Sequence, residues 1–128
     1  MAGMASSSRL REAFRGWLRR VAETDEERLA QELRDWASRV RGTVRIAGAP
    51  LRQRVKVAGV VRRITVRPVE GFEALEVVVH DGTGELVAVW LGRRSIHGLV
   101  LGSRLILEGV IGREHGQLRT VNPTFEFA

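Results

Sequence analysis

From Arg54 to Val121 the apolar residues of this chain recur at every second position. That period restricts the region to β-strands, because only an extended backbone turns alternate side chains to opposite faces. Val55, Val57, Gly59 and Val61 alternate with Arg54, Lys56, Ala58 and Val60, and the run continues through Ile64, Thr65 and Val66 to Arg67-Pro68. It exceeds the roughly 5–6 residues of an ordinary strand, so it is expected to bend, with a bulge at Gly59 or at Arg62-Arg63. Leu75, Val77 and Val79 then alternate with Glu76, Val78 and His80, and Leu86, Ala88 and Trp90 alternate with Val87, Val89 and Leu91. Asp81-Gly82-Thr83-Gly84 separates these two runs and predicts a hairpin, because glycine accepts the positive φ that a tight turn between twisted strands requires. Leu105, Leu107, Gly109 and Ile111 alternate with Arg104, Ile106, Glu108 and Val110 in a fourth strand, and Gln117 to Val121 follows the turn at Glu114-His115-Gly116 as a fifth. Ser95 to Leu99 predicts one helical turn capped by Ser95, and Thr124 to Phe127 a closing piece.

The period before residue 42 is different. Residues 1–8 are small and polar and read as a disordered leader. Leu10, Ala13, Phe14, Trp17, Leu18 and Val21 then fall at helical spacing, and Leu29, Leu33, Trp36 and Val40 make a second stripe. At about 100° per residue the two stripes centre roughly 90° apart, and Thr24-Asp25-Glu26-Glu27 matches a capping box. Two amphipathic helices over 9–41, breaking near Glu23, are therefore expected, followed by a linker over 42–53 and a β domain over 54–127. Trp17, Trp36 and Phe14 lie on the stripes, where packing is the expected role.

Five strands, the first long and bent, with a helical turn between the third and fourth, is the order of a five-stranded OB-fold barrel. The fold class expected is thus mainly β with N-terminal helices. In that architecture oligonucleotides lie across the second and third strands, so the hairpin at Asp81 would sit at the centre of the binding face.

Composition bears on what such a face could bind. The chain holds 21 Lys and Arg against 15 Asp and Glu, and Lys56 alone among the basic residues is a lysine. Arginine offers a planar fork suited to phosphate and able to stack on bases, although coding bias in a GC-rich genome would also favour it. Residues 1–41 carry nine Arg against seven acids, and residues 42–128 twelve basic against eight acidic side chains. The absence of cysteine excludes disulfides and thiolate zinc sites and suits a reducing compartment. No apolar run approaches the ~20 residues of a membrane span, and Arg9, Arg11 and Glu12 interrupt any signal-peptide core; a cytoplasmic protein without membrane attachment is expected.

Several pieces together resemble a known group. Val55-x-Val57-Ala58-Gly59-Val60-Val61, Asp81-Gly82-Thr83-Gly84, Trp90-Leu91-Gly92-Arg93-Arg94-x-Ile96-x-Gly98 and Asn122-Pro123-x-Phe125-Glu126 look like the small stand-alone bacterial OB-fold nucleic-acid-binding proteins of the tRNA-anticodon-type OB superfamily. They also resemble the wedge domain of branch-migrating DNA helicases. The resemblance covers residues 54–127 and implies a fold more firmly than a task. His80 and Phe125 stand where such proteins often carry tyrosine.

No residue set supports catalysis. Gly82-x-Gly84 links two strands and has Val87 where a dinucleotide loop would need a third glycine, no phosphate-loop lysine exists, and the three histidines are scattered. Asp81 reads as a turn-former rather than a metal ligand. No enzyme activity, cofactor or metal is expected. The candidate nucleic-acid-binding residues are Arg54, Lys56, Arg62, Arg63 and Arg67 along the first strand, His80 at the end of the second, Arg93 and Arg94 after the third, and Arg113 and Arg119 near the last turn. Trp90 shares a strand face with Leu86 and Ala88, which makes it a core residue if that face points inward. The expected function is binding of single-stranded DNA or RNA with low sequence preference through a basic groove. The alternative is a protein-interaction module, with the helices forming a homodimer, which the scarcity of aromatics and the presence of Glu76, Val78, Val87 and Val89 on the expected binding face favour.

Overall fold

The computed structural model describes residues 2–128, with side chains from residue 7 onward. In chain order the elements are α1 (Ala2–Arg39), β1 (Arg54–Val69), β2 (Phe72–His80), β3 (Glu85–Leu91), β4 (Arg104–Glu114), β5 (Gln117–Val121) and β6 (Thr124–Phe127). They form two compact units, Met1–Glu32 and Leu33–Ala128. The division falls earlier than the domain boundary expected between residues 41 and 54.

The N-terminal region is one helix, not two. Thr24 does not cap a second helix: its Oγ1 donates to the Arg20 carbonyl at 2.8 Å, the back-bond a threonine makes inside a continuing helix. The glutamates around it are good helix formers, so the 90° offset between the stripes marks a change of face without a break. Of the leader expected over 1–8, Ala2–Ser8 belong to α1 and Met1 lies outside the described residues. Phe14 and Trp17 do not enter a core. Their rings stack on each other at 6.0 Å, and they stand 58% and 52% exposed.

In the second unit the last turns of α1 carry Leu33 and Ala37 into buried positions. Arg34 Nη1 donates to the Gly82 carbonyl at 2.9 Å, and the Arg104 guanidinium lies over the Trp36 ring at 4.8 Å. The expected linker over 42–53 is instead a strap on the sheet. Thr43 bridges Lys56, Val44 N donates to the Lys56 carbonyl, and Ile46 is fully buried. The alternation of Thr43, Val44, Arg45 and Ile46 is a short strand-like signal that the neighbouring Gly48-Ala49-Pro50 obscures.

The sheet closes into a ring of five strands in the order β1-β2-β3-β5-β4, with β4 pairing back to β1. All pairs are antiparallel except β3–β5. β1 closes the ring because it is long enough to serve two neighbours: Arg54 to Val60 pairs with β4, and Val60 to Val69 pairs with β2. Its register shifts between Val61 and Arg63, which selects the Arg62-Arg63 site over Gly59 for the bulge. β6 lies on β4, along the edge that β5 leaves free. Ser95 to Leu99 forms no helix; a turn closes with Leu99 N on the Ile96 carbonyl, and Gly98 at φ 83° prevents its continuation.

Inside the ring the alternating residues meet as expected, with Leu75, Val77, Val79, Leu86, Ala88, Leu105, Leu107 and Ile111 buried in one cluster. Each large apolar side chain so buried contributes about 1.5–3 kcal/mol. Trp90 belongs to this core, and its Nε1 donates to the Pro123 carbonyl at 3.0 Å.

Candidate nucleic-acid interface

Because Leu75, Val77 and Val79 point inward, the other parity of β2 faces out, and cross-strand pairing carries that face over four strands. One row runs Arg63–Val78–Val87–Arg119, the next Thr65–Glu76–Val89–Val121, and a third Arg67–Ala74–Leu91. Val69 and Phe72 extend the same face at one end, and His80 and Glu85 at the other. The result is a short apolar floor with arginine on both flanks and a ring at each end of β2. Phe72 and His80 are eight residues apart, roughly 26 Å along a strand. Beside the floor a concavity of about 310 Å³ is lined by Val110, Gly112, Arg113, Glu114, Arg119 and Val121.

Val87 and Val89 point outward and yet are 3% and 5% exposed. They pack with Ala74 and Val78 in a small outer cluster, and the Arg119 side chain passes over them. It starts on β5 and reaches Glu76 on β2 with Nη2 3.4 Å from Oε1, and so must cross β3, whose Val87 and Val89 are the register partners of Arg119 and Glu76. From the other flank the Arg67 guanidinium pairs with Glu76 Oε2. Glu76, itself buried, thus clasps two arginines over the floor, and the aliphatic stem of Arg119, which crosses β3, shields the valines.

The structure distributes the sequence-predicted basic residues unevenly. Arg63, Arg67 and Arg119 lie on the floor, and Arg113 and Arg119 on the adjoining concavity. Arg62, at the bulge, pairs with Glu85 at 2.9 Å beside His80. Arg94 pairs with Glu73 at 2.7 Å. Arg93 is drawn away, its guanidinium 5.8 Å from the Phe125 ring centroid. Arg54 and Lys56 face Val110 and Glu108 on the β1–β4 side of the ring, and Arg54 Nε lies 3.6 Å from Glu108. Among the described residues Lys56, Arg63, Arg93 and Arg113 have no carboxylate partner. The other pairs, except at buried Glu76, are solvent-exposed and worth only ~0–1 kcal/mol each, so a phosphate can replace the carboxylate at small cost.

Two contributors went unread in the sequence. Phe72 is an exposed aromatic on the floor, and its place at i−2 from Ala74 is a signal that the strand period carries. Glu76 is placed on the expected face by strand parity, but its role there is not, and only the pairing of β2 with its neighbours shows that two arginines converge on it. The unit boundary also matters to the charge. Residues 1–32 hold six basic and six acidic side chains, and residues 33–128 fifteen basic and nine acidic, so the whole net charge of +6 resides on the second unit.

Partial burial holds the His80 imidazole below its ordinary pKa of 6.5; nearby Arg62 adds to the effect, and Glu85 and Asp81 oppose it. His80 is therefore neutral at pH 7 and offers a stacking face rather than a charge. The unfolded chain takes up this proton first as pH falls, so the residue's contribution to stability is intact above pH 6.5 and declines below it. An NMR titration should place its midpoint below 6.5 and find it raised in Arg62→Gln; a wild-type midpoint above 6.5 would contradict this environment.

No helix among the described residues is long and apolar enough to cross a membrane. No protein-family model matches this chain, and a search of the curated proteins found no match.

Proposed function

We propose that the five-stranded ring is an OB-fold barrel that binds single-stranded DNA or RNA, without catalysis and with low sequence preference, across β2 and β3. The observation that carries the reading is the outward row Arg63–Val78–Val87–Arg119, an apolar floor between arginines on a unit that holds the entire net charge of +6. The long, bulged β1 shared between two neighbours and the β1-β2-β3-β5-β4 order support the barrel type. Phosphates would meet Arg63 directly and exchange with the exposed carboxylates of Glu85 on Arg62 and Glu114 on Arg119. Bases would lie toward the floor, with Phe72 and His80 as the two rings available to stack.

A floor with so few rings puts most of the affinity into phosphate contacts, and such binding weakens steeply as salt rises because each neutralised phosphate releases counterions. Fluorescence anisotropy with labelled single strands across a salt series tests this. Saturable binding that falls with a slope of several contacts is expected, and Phe72→Ala should weaken it by about tenfold, within the ~1–3 kcal/mol of one base stack. Absence of binding at low salt would refute the proposal.

A further inference from the structure

β4 and β5 carry the outward face past the floor and into the concavity of about 310 Å³, and Gly112 forms its base. The register partner of Gly112 is Arg119, so the row Arg63–Val78–Val87–Arg119 ends at a residue without a side chain. A Cβ placed on Gly112 would meet no atom within 4 Å, and its φ is not positive. Neither packing nor backbone conformation calls for glycine there; a strand glycine of this kind lets a ligand approach the backbone closely. Because the strands are antiparallel, Val110, two residues before Gly112, and Val121, two after Arg119, lie at the same end of the concavity, and both are exposed. Glu114 lies at the other end. Arg119 is fixed from two sides, with Nη2 3.4 Å from Glu76 Oε1 and Nε 3.5 Å from Glu114 Oε2. Glu114 is itself largely exposed and keeps lone pairs open to a ligand.

The two ends restrict what fits. A lone phosphate would face two valines and a carboxylate, and an alkyl chain would set apolar surface against the Glu114–Arg119 pair. A flat ring with a polar edge suits both ends, its face over Gly112 and the valines and its edge on the charged pair. The volume lies at the low end of ligand pockets, roughly 300–1,000 Å³, room for one nucleotide rather than a stack. We infer that the concavity reads one base of a strand otherwise bound without regard to sequence, and that this base is guanine. The subsite rests on the strand-binding reading of the floor. When a backbone phosphate takes Arg119 from Glu114, the carboxylate is left beside it as an anion in need of donors. Guanine alone among the bases presents two parallel donors, N1–H and N2–H, to one carboxylate, while its O6 accepts from a neighbouring guanidinium. Adenine and cytosine offer a single amino group there, and thymine or uracil a single imino group.

Anisotropy titrations of the full-length protein test this with a labelled oligothymidylate of about twelve residues, within the ~4–16 nucleotides that one OB domain covers. The same strand is compared with one central guanine, adenine or inosine. Guanine is expected to tighten binding at least about fivefold, the low end for a bidentate base contact, and inosine, which lacks the N2 amino group, to lose most of that gain. Gly112→Val, which fills open space with a side chain that suits a strand, and Glu114→Gln should each bring the guanine-to-thymine affinity ratio close to one. Oligothymidylate that binds with no gain from guanine would overturn the subsite and leave the floor standing. An equal gain from adenine would trace to stacking and overturn it as well, as would a guanine gain that survives both variants. Failure of every strand to bind at low salt would refute the floor and the subsite together.

Discussion

Replacing Asp81 with alanine is expected to cost the second unit about 3–4 kcal/mol, a large effect for one side chain. The carboxylate is 2% exposed and accepts four hydrogen bonds. Oδ1 takes Thr83 N at 2.9 Å, Thr83 Oγ1 at 2.5 Å and Gly84 N at 3.2 Å, and Oδ2 takes Ile46 N at 2.9 Å. Three of these build the hairpin turn, in which Gly82 adopts φ 84°. The fourth ties the 43–50 strap to the ring. Bonds to a charged acceptor are worth ~1.5–3 kcal/mol each when removed singly, and they overlap within one network. Alanine leaves the amide of fully buried Ile46 without an acceptor. For a unit of this size each kcal/mol moves the midpoint by about 4–8 °C, so thermal unfolding should show a drop of roughly 12–30 °C. Asp81→Asn keeps one acceptor but aims an amide at a donor and should fall between. A loss below 1 kcal/mol would mean that water replaces the carboxylate and that the strap is not held through it.

The second large effect concerns binding and has two arms of opposite sign. Arg63 and Arg113 lie on the floor and on the adjoining concavity without carboxylate partners, so their reversal disturbs no ion pair. Arg63→Glu with Arg113→Glu should weaken oligonucleotide binding about 100-fold at low salt and reduce the salt slope by about two phosphate contacts. Glu76→Gln works in the other direction. It removes the charge that holds Arg67 and one of the two carboxylates on Arg119, which keeps exposed Glu114 3.5 Å from its Nε; Arg67 is released and Arg119 loosened for phosphate, and affinity should rise by roughly 3–10-fold with a steeper salt dependence. Anisotropy titrations over the same salt series measure both arms. If the double reversal leaves affinity unchanged while binding persists, the site lies elsewhere on the unit. If Glu76→Gln weakens binding in a protein that remains folded, the clasp is part of the binding surface rather than a competitor for it.

Legibility in the sequence followed the range of the interactions. The strands β1 to β5, a bend in β1 at either Gly59 or Arg62-Arg63, the turn role of Asp81 and the inward Trp90 were all readable, because each depends on spacing within a few residues or on one parity; the β1–β2 register placed the bulge at Arg62-Arg63. The helix break at Thr24 was not. A capping box has the same letters whether the backbone leaves the helix or continues, and here the threonine found the Arg20 carbonyl. The strap over 42–53 was hidden for a different reason. Asp81 lies 35 residues from Ile46, and no local pattern announces an acceptor at that distance. Among the basic residues the sequence supplied candidates without an arrangement: Arg93 and Arg94 looked like one projecting pair, and they went separately to Phe125 and Glu73.

By itself the sequence determined that residues 54–121 form strands with one apolar parity, that a glycine turn joins β2 to β3, and that the chain carries its excess charge as arginine. Those properties are local, set by backbone sterics and by side-chain alternation. Tertiary structure alone decided that β1 is shared between β2 and β4 to close a ring, that Arg63 and Arg119 flank one valine floor, and that Glu76 clasps Arg67 from neighbouring β1 and Arg119 from across β3. Register between strands far apart in sequence decides which side chains become neighbours, and that register comes from the packing of the whole core, not from any single stretch of it.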